Sequence, residues 1–557
     1  MKKRNFIVAL ILSTCLFGCD ESIENTISNN NHSTTSTIED NKKENKVHIY
    51  SIPEGVEKYE NAKLLLNGTE CPMYLVKTNA LHSWSGDNYA RQNNGVAIFS
   101  LEGRVNVEVK CNYDVTFDTK VRPLKYNINP IINQETDTIS FQIYDAGHYV
   151  IEPNGESDKT IHIFVQSMLR ETKVEELDQE KLIYFGPGLH TKDNNKYLSG
   201  DSSIELQNDQ IVYLDYGAVV RGRFTATSKS NITIMGPGVV DGSTFERVSG
   251  KSQFIPFDFN YCRNVTFKDF TMLDTAGWTI NWYFMTNSKI ENIKIISSRS
   301  NGDGISLQSC IDIEVKDCFV RSWDDSLVVK NYPRWNDRTQ HGTTDNILFE
   351  NCTLWTDLAQ SMEVGYETVG QIMEDITFNN ITVLHNYHKP VMSIHNGNNA
   401  NIKRVKFTNI TVEDASMGQG DAGSNTQLVD ITAKHSATWS NQHTITSLGQ
   451  IEDITVKNIL VKAGSAKLKF RFEGSKDTRP DYLNNEHFVK NVELTDISWK
   501  GKGVDNSFQG MTWYQNEYTE NIKLSLTGEM ITGSEFIRYM SKDELKEYGE
   551  QYIVLVD

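Results

Sequence analysis

Three carboxylates, Asp303, Asp324 and Asp325, stand just ahead of two short apolar runs, Ile305-Ser-Leu and Leu327-Val-Val, and Gly302 and Gly304 flank the first of them. Between the runs, Ile311, Ile313 and Val315 alternate with Asp312, Glu314 and Lys316, the period-two signature of a strand with one buried face. Acidic groups at the starts of such strands belong at a working surface rather than in a core. Asp303 and Asp324 are 21 residues apart, about one turn of a coiled chain. That spacing places them on neighbouring layers at one edge, roughly 4.8 Å apart, with Asp325 as a third charge. Like charges this close do not all ionise at ordinary pKa, so one stays protonated near neutrality while another remains a base. A proton donor and a base on opposite sides of a bond are what glycoside hydrolysis needs. A separation of about 6.5 to 9.5 Å admits a water and inverts the anomeric centre, whereas about 5 to 5.5 Å favours a covalent intermediate. The bland use of such acids is a solvated turn or a Ca²⁺ site.

The surroundings are those of a sugar site. Trp278, Trp282, Trp323 and Trp335 offer flat apolar faces to pyranose rings, although Trp278 and Trp282 also suit a core. Asn281, Asn301, Lys330, Glu363, Tyr366, Glu367, His395 and Asn396 offer hydrogen bonds on nearby or later layers. No cofactor enters this chemistry.

The elements that hold these groups repeat. Asn264-Val-Thr-Phe-Lys-Asp-Phe-Thr-Met, Asn346-Ile-Leu-Phe-Glu-Asn-Cys-Thr-Leu, Asp375-Ile-Thr-Phe-Asn-Asn-Ile-Thr-Val and Arg404-Val-Lys-Phe-Thr-Asn-Ile-Thr-Val share one template: two three-residue strands with Asn or Asp at the bend. With the first apolar residue of each copy as marker (265, 293, 313, 347, 376, 405, 454, 492), the steps vary while the core pattern persists. Irregular steps around a constant core describe a right-handed parallel β-helix, in which insertions leave at the corners. Cys262, Cys310, Cys318 and Cys352 recur at equivalent offsets and read as small buried residues, while Cys71 and Cys111 lie upstream and are able to bridge.

The fold class is therefore all-β, with a β-sandwich at 47–170 before a β-helix at 171–530. The sandwich rests on short strands such as Ala97-Ile-Phe-Ser and Ile161-His-Ile-Phe-Val separated by turn signals. Residues 531–557 carry a capping-box pattern and a last apolar run, Tyr552-Ile-Val-Leu-Val, expected to cover the open end of the coil.

The chain of 557 residues carries 73 acidic against 55 basic side chains, a net charge of -18, which argues against nucleic acid or an anionic membrane face as partner. A glycan fits better, and a monomer is expected. At the start, Met1-Lys-Lys-Arg precedes a short apolar segment ending in Leu16-Phe17-Gly18-Cys19. This resembles a bacterial lipobox at 1–19, with lipidation of Cys19 and a polar tether at 20–46. The expectation is export and attachment to the outer membrane through lipid alone.

Asn301-Gly-Asp-Gly and Trp323-Asp-Asp-Ser-Leu-Val-Val-Lys330 resemble the β-helix clan that holds glycoside hydrolase families 28 and 49. Ile183-Tyr-Phe-Gly-Pro-Gly-Leu-His, Gly217-Ala-Val-Val-Arg-Gly, Gly236-Pro-Gly-Val-Val-Asp-Gly, Ser361-Met-Glu-Val-Gly-Tyr-Glu, Val121-Arg-Pro-Leu and His162-Ile-Phe-Val look closer to family 49, the dextranase and isopullulanase group. The resemblance implies Asp324 as general acid, Asp303 with Asp325 activating water, inversion, and no metal. The Gly-His-Gly and Arg-Ile-Lys motifs of family 28 polygalacturonases have no clear counterpart, since Asp357-Leu-Ala-Gln and Ser393-Ile-His-Asn stand in their places. A neutral α-glucan is thus the expected substrate, with a pectic or other acidic glycan as the alternative; a glycan-binding protein without turnover is the rival class.

Overall fold

The computed structural model describes residues 43–79, 91–168, 172–248, 253–331, 342–386, 388–416, 426–435, 447–528 and 548–556. Residues 1–42 with Cys19, Trp335, and residues 531–547 of the expected cap lie outside them.

The structure is a right-handed parallel β-helix joined to an N-terminal β-sandwich. In the sandwich, a seven-stranded and a five-stranded sheet enclose Leu64, Phe99, Val107, Ile139, Ile151 and Ile163. The helix winds through three faces. Strands such as Arg263–Lys268, Thr286–Glu291 and Ile311–Lys316 form the first; Thr271–Leu273, Lys294–Ile296 and Phe319–Ser322 the second. An eleven-stranded parallel sheet forms the third, and it includes Phe257–Asn260, Ile280–Tyr283, Ile305–Gln308, Leu327–Asn331, Met362–Thr368, Met392–Asn396, Thr426–Ala433 and Leu468–Glu473.

The template explains the winding. Both its opening residue and its bend residue sit in the left-handed region, as at Asn264 and Asp269, Asp312 and Asp317, Asn346 and Asn351. Asn and Asp tolerate that conformation at small cost. Their side chains then bond from rung to rung, with Asn287 donating to Asn264 at 2.6 Å and Asn264 to Asn231 at 3.0 Å. Inward positions stack in register: Phe349, Phe378 and Phe407 lie parallel with ring centroids 4.8 and 5.0 Å apart. The six described cysteines are free thiols, so Cys71 and Cys111 do not bridge.

The sandwich packs its seven-stranded sheet on the second face of the helix, burying Val96, Ile98, Val150 and Phe164 against Val219, Val239, Leu273, Ile296 and Phe319. The final strand departs from expectation. Tyr548–Val556 pairs in parallel with Lys43–Ile49 and so extends the sandwich instead of covering the end of the coil. The edge of Lys43–Ile49 left open by its antiparallel partner Gln92–Glu102 gives that run a ladder to complete.

Candidate active site

Register decides which acids meet. Ile305 lies opposite Leu327, and Asp303 and Asp325 each stand two residues ahead of these partners, so Asp303 stacks with Asp325 and Asp324 lies one position off the column. Gly304 makes the approach feasible: its N–H donates to the Asp325 carbonyl at 2.8 Å, and a Cβ there would meet Ser326 O at 2.5 Å.

Lys330 ties the cluster together. Its Nζ lies 3.5 Å from Asp303 Oδ2, 3.7 Å from Asp325 Oδ2 and 3.6 Å from Glu367 Oε2, and 5.2 Å from the centre of the Trp278 ring. Asp303 and Asp325 are buried, Asp324 is partly exposed, and Asp324 Oδ1 accepts the Asp325 N–H at 3.1 Å. Burial is the main cause that pushes Asp303 up to about 7; Lys330 pulls it down, and Asp324 and Glu367 push it up again. Burial likewise raises Asp324 and, more strongly, Asp325, with Lys330 opposing in both. Burial outweighs the pull of Lys330 at all three aspartates, so the cluster keeps protons at neutral pH. A set that holds both a proton to give and a carboxylate to receive one is the requirement for acid–base hydrolysis.

A second cluster lies on the following rungs. Val328, Glu363, Ser393, Asp430 and Arg471 form one outward column. His395 is wedged between the first two acids, its Nδ1 at 2.8 Å from Glu363 Oε1 and its Nε2 at 3.4 Å from Asp430 Oδ2, an ion-pair contact rather than an aligned hydrogen bond. Arg471 grips Asp430 through Nε and Nη2 at 2.7 and 2.6 Å. Burial pulls the His395 imidazolium down, but Glu363 and Asp430 outweigh it and carry it up to about 10. The Tyr366 ring stacks on His395, with centroids 4.2 Å apart.

Several residues expected to bind sugar have other duties. Trp282 shares its register with Phe259 and Leu307, and strand alternation turns all three into the core. Trp323 is fully buried, and its carbonyl accepts from the N–H groups of Leu358 and Ala359. Asn396 is spent on a turn, donating to Ala400 O at 2.8 Å and accepting from Thr368 Oγ1 at 2.7 Å. The Asn301 amide oxygen is held by Arg247 at 2.5 Å. Asn281 donates to Asp258 Oδ1 at 2.9 Å and accepts from Gln308. Glu363 and His395 are buried in the second cluster, where they bear on the site through neighbours. Trp278, Lys330 and Glu367 stay with the aspartates, while Tyr366 lies over His395 in the second cluster. Sequence reading missed Lys389, Asp430 and Arg471. A polar residue inside an apolar run marks the last two as outward-facing (Leu428-Val-Asp-Ile and Phe470-Arg-Phe), but only register links them to the acids.

Residues 197–508 match the family described as Glycosyl hydrolases family 28, more than half of the chain. The chain belongs to glycosyl hydrolases family 28. Of the two families that its motifs resemble, it is this one that the match supports. The family 28 chain is 29% identical over 124 residues to a "Probable polygalacturonase" of Vitis vinifera, a stretch covering 20% of this chain and a quarter of that protein. Dex49A from Penicillium minioluteum shares the fold at 13% identity, with a TM-score of 0.51 over 86% of this chain and 96% of its own. A family 28 exopolygalacturonase of Yersinia enterocolitica aligns at 12% identity and a TM-score of 0.41, over 82% of this chain and all of its own.

Proposed function

We propose that this family 28 chain hydrolyses a glycosidic bond within an acidic, pectic-type glycan, with inversion. The observation that carries the reading is the convergence of Asp303, Asp324 and Asp325 from neighbouring rungs around one buried lysine. Asp324, the most accessible of the three, donates its proton to the glycosidic oxygen as the bond from that oxygen to the anomeric carbon breaks. Asp303 and Asp325, aligned in one column, hold a water that attacks the anomeric carbon from the opposite face, and one of them takes the proton the water loses. Both products leave neutral apart from their own substituents, and the enzyme regains its starting protonation when the proton returns to Asp324.

The family and the Vitis vinifera relative support an acidic glycan over the neutral α-glucan expected from the motifs. Replacing Asp324 by Asn is expected to cut the release of reducing ends about 10²- to 10⁴-fold on polygalacturonate. NMR of the first product anomer tests inversion: a retained anomer, or a rate untouched by Asp324→Asn, rejects the reading.

A further inference from the structure

The corner that carries Asp324 and Asp325 is backed by a row of buried hydroxyl groups. Ser322, Thr356 and Asn386 end successive second-face strands in register. Ser326 and Ser361 stand one residue ahead of Leu327 and Met362, which are in register on the third face. All five side chains are fully buried, and they zigzag between the two columns. Asn386 Nδ2 lies 2.9 Å from Ser361 Oγ, and Ser361 Oγ lies 2.8 Å from Thr356 Oγ1. Thr356 Oγ1 is 2.7 Å from Ser326 Oγ, which is 2.7 Å from Ser322 Oγ. Ser322 Oγ then donates to the Asp324 carbonyl at 2.7 Å.

The two ends of the row fix the direction of every bond in it. An amide nitrogen only donates, a carbonyl only accepts, and each hydroxyl has a single proton to give. The Asn386 nitrogen also faces the Pro390 carbonyl at 3.4 Å, which rules out the flipped amide. The hydroxyl protons then fill the gaps in one way only: Ser361 to Thr356, Thr356 to Ser326, Ser326 to Ser322, and Ser322 to Asp324. Bonds in such a row polarise one another, so a break anywhere is felt at its end. That end is the peptide group between Asp324 and Asp325. With its carbonyl held by Ser322, its N–H points the other way, to Asp324 Oδ1 at 3.1 Å. The upstream corner repeats the device. Ser297 and Ser322 follow the register partners Ile296 and Arg321, and Ser297 donates at 2.6 Å to the carbonyl of Gly302, which precedes Asp303 as Asp324 precedes Asp325.

We propose that this row positions the general acid: Ser322, backed by Ser326, Thr356, Ser361 and Asn386, fixes the plane of the Asp324–Asp325 peptide and with it the direction in which the Asp324 carboxyl meets the glycosidic oxygen. The proposal rests on the hydrolytic reading above. Ser322 and Thr356 are positioning residues, acting through that peptide. Burial raises Asp324; Lys330, the Asp325 N–H and Lys389 lower it, and Glu367 raises it, with Asp303 and Asp325 as its like-charged neighbours. Of these influences, the N–H is the one the row aims.

The test uses Thr356→Val, which keeps the shape and charge of a side chain one rung from the aspartates and removes a link of the row. It is expected to lower kcat on polygalacturonate about tenfold with KM unchanged. It is also expected to move the titration of the Asp324 carboxyl upward, followed by NMR of isotope-labelled aspartate and assigned by its loss in Asp324→Asn. Ser322→Ala is expected to do both, and Ser322→Thr to restore both, since Thr356 shows that a threonine fits this column. The double variant of Ser322→Ala with Thr356→Val is expected to lose no more than the worse single variant. A kcat and a titration that Thr356→Val leaves in place, additive losses, or a Ser322→Thr as impaired as Ser322→Ala overturns the row as a positioning device. Wild-type protein whose Asp324 titration responds to these substitutions but which cuts no glycan overturns the hydrolytic reading and leaves the row's hold on Asp324 standing.

Discussion

Lys330 is a buried ammonium facing more negative charge than it carries, and the protonation of the whole site follows from it. It is held well above its usual range by Glu367, Asp303, Asp325 and Asp324, against the pull of burial, and it lowers each aspartate in return. A raised carboxylate is protonated below its shifted value and charged above it, so Asp303 becomes a competent base only as the pH rises through about 7. The acidic limb of kcat/KM is accordingly expected near neutrality instead of near pH 4. Lys330→Met removes the pull that keeps these acids ionised. It is expected to move that limb upward by about a unit or more and to lower kcat/KM at pH 7 about 100-fold. A pH–rate profile with an acidic limb at the ordinary carboxylate value, or one that Lys330→Met leaves in place, contradicts this account. The aspartates were legible because each precedes an apolar run beside glycine or a second acid. Lys389 and Arg471 were not, because the chain between them and the aspartates includes corner segments of unequal length, and only strand register brings them to the same surface.

At the scale of single strands, Glu363, His395 and Asp430 knit Met362–Thr368, Met392–Asn396 and Thr426–Ala433 into one layer beneath Tyr366. Glu363→Ala strands a buried imidazolium beside one remaining acid and is expected to cost about 3 to 5 kcal/mol in urea denaturation at pH 7. Ser393→Ala, which removes only a neutral donor to Glu363, is expected to cost about 1 kcal/mol. Because His395 is raised, the stability it contributes is complete below about 6.5 and fades as the pH climbs through about 10. The gap between wild type and Glu363→Ala should therefore narrow in strongly alkaline buffer; a gap that widens there removes the ion-pair explanation. Strand register departs from the repeat template at one rung. The template places a marker at Ile293, yet the residue in register with Ile313 is Ser288, which evens two steps from 28 and 20 to 23 and 25 residues. Ser288 hides because it is polar at a core position, where its hydroxyl accepts the Val265 N–H and donates to Thr286 O. Trp282 was misplaced although its run carries the cue: in Ile280-Asn281-Trp282-Tyr283 the polar Asn281 alternates with Ile280 and Trp282, which sets the tryptophan on the inner face.

For the molecule as a whole, the sandwich is part of the helix's structure through charge as well as apolar contact. Arg122 reaches from the sandwich to Glu152 at 2.8 Å and to Glu413 of the helix at 2.9 Å, and all three are buried. His385 of the helix bonds Glu152 in turn and lies 3.2 Å from Asp414. Burial pushes Glu152 up, but His385 and Arg122 outweigh it and hold it down at about 2, while His385 itself is raised by Glu152 against the effect of burial. A raised histidine stabilises fully below its unfolded value and stops doing so as the pH rises through its folded one, so this joint weakens on the alkaline side of neutrality. Arg122→Met leaves two buried carboxylates facing each other across the joint with one cation fewer. The expected loss is about 3 to 5 kcal/mol, because removing one partner of a buried pair exposes the full cost of the other. Lys63→Met, which breaks a pair with Glu70 whose side chains are 68% and 59% exposed, serves as the comparison and should shift the midpoint little. Scanning calorimetry of the two variants distinguishes the cases. If the joint is electrostatic, Arg122→Met lowers the midpoint markedly and more so at pH 9 than at pH 6, where protonated His385 still faces Glu152 and is relieved of the like charge of Arg122. If the apolar contact of Phe164 with Phe319 and Trp355 suffices, the two variants melt together and the charges across the joint are ornament to a hydrophobic interface.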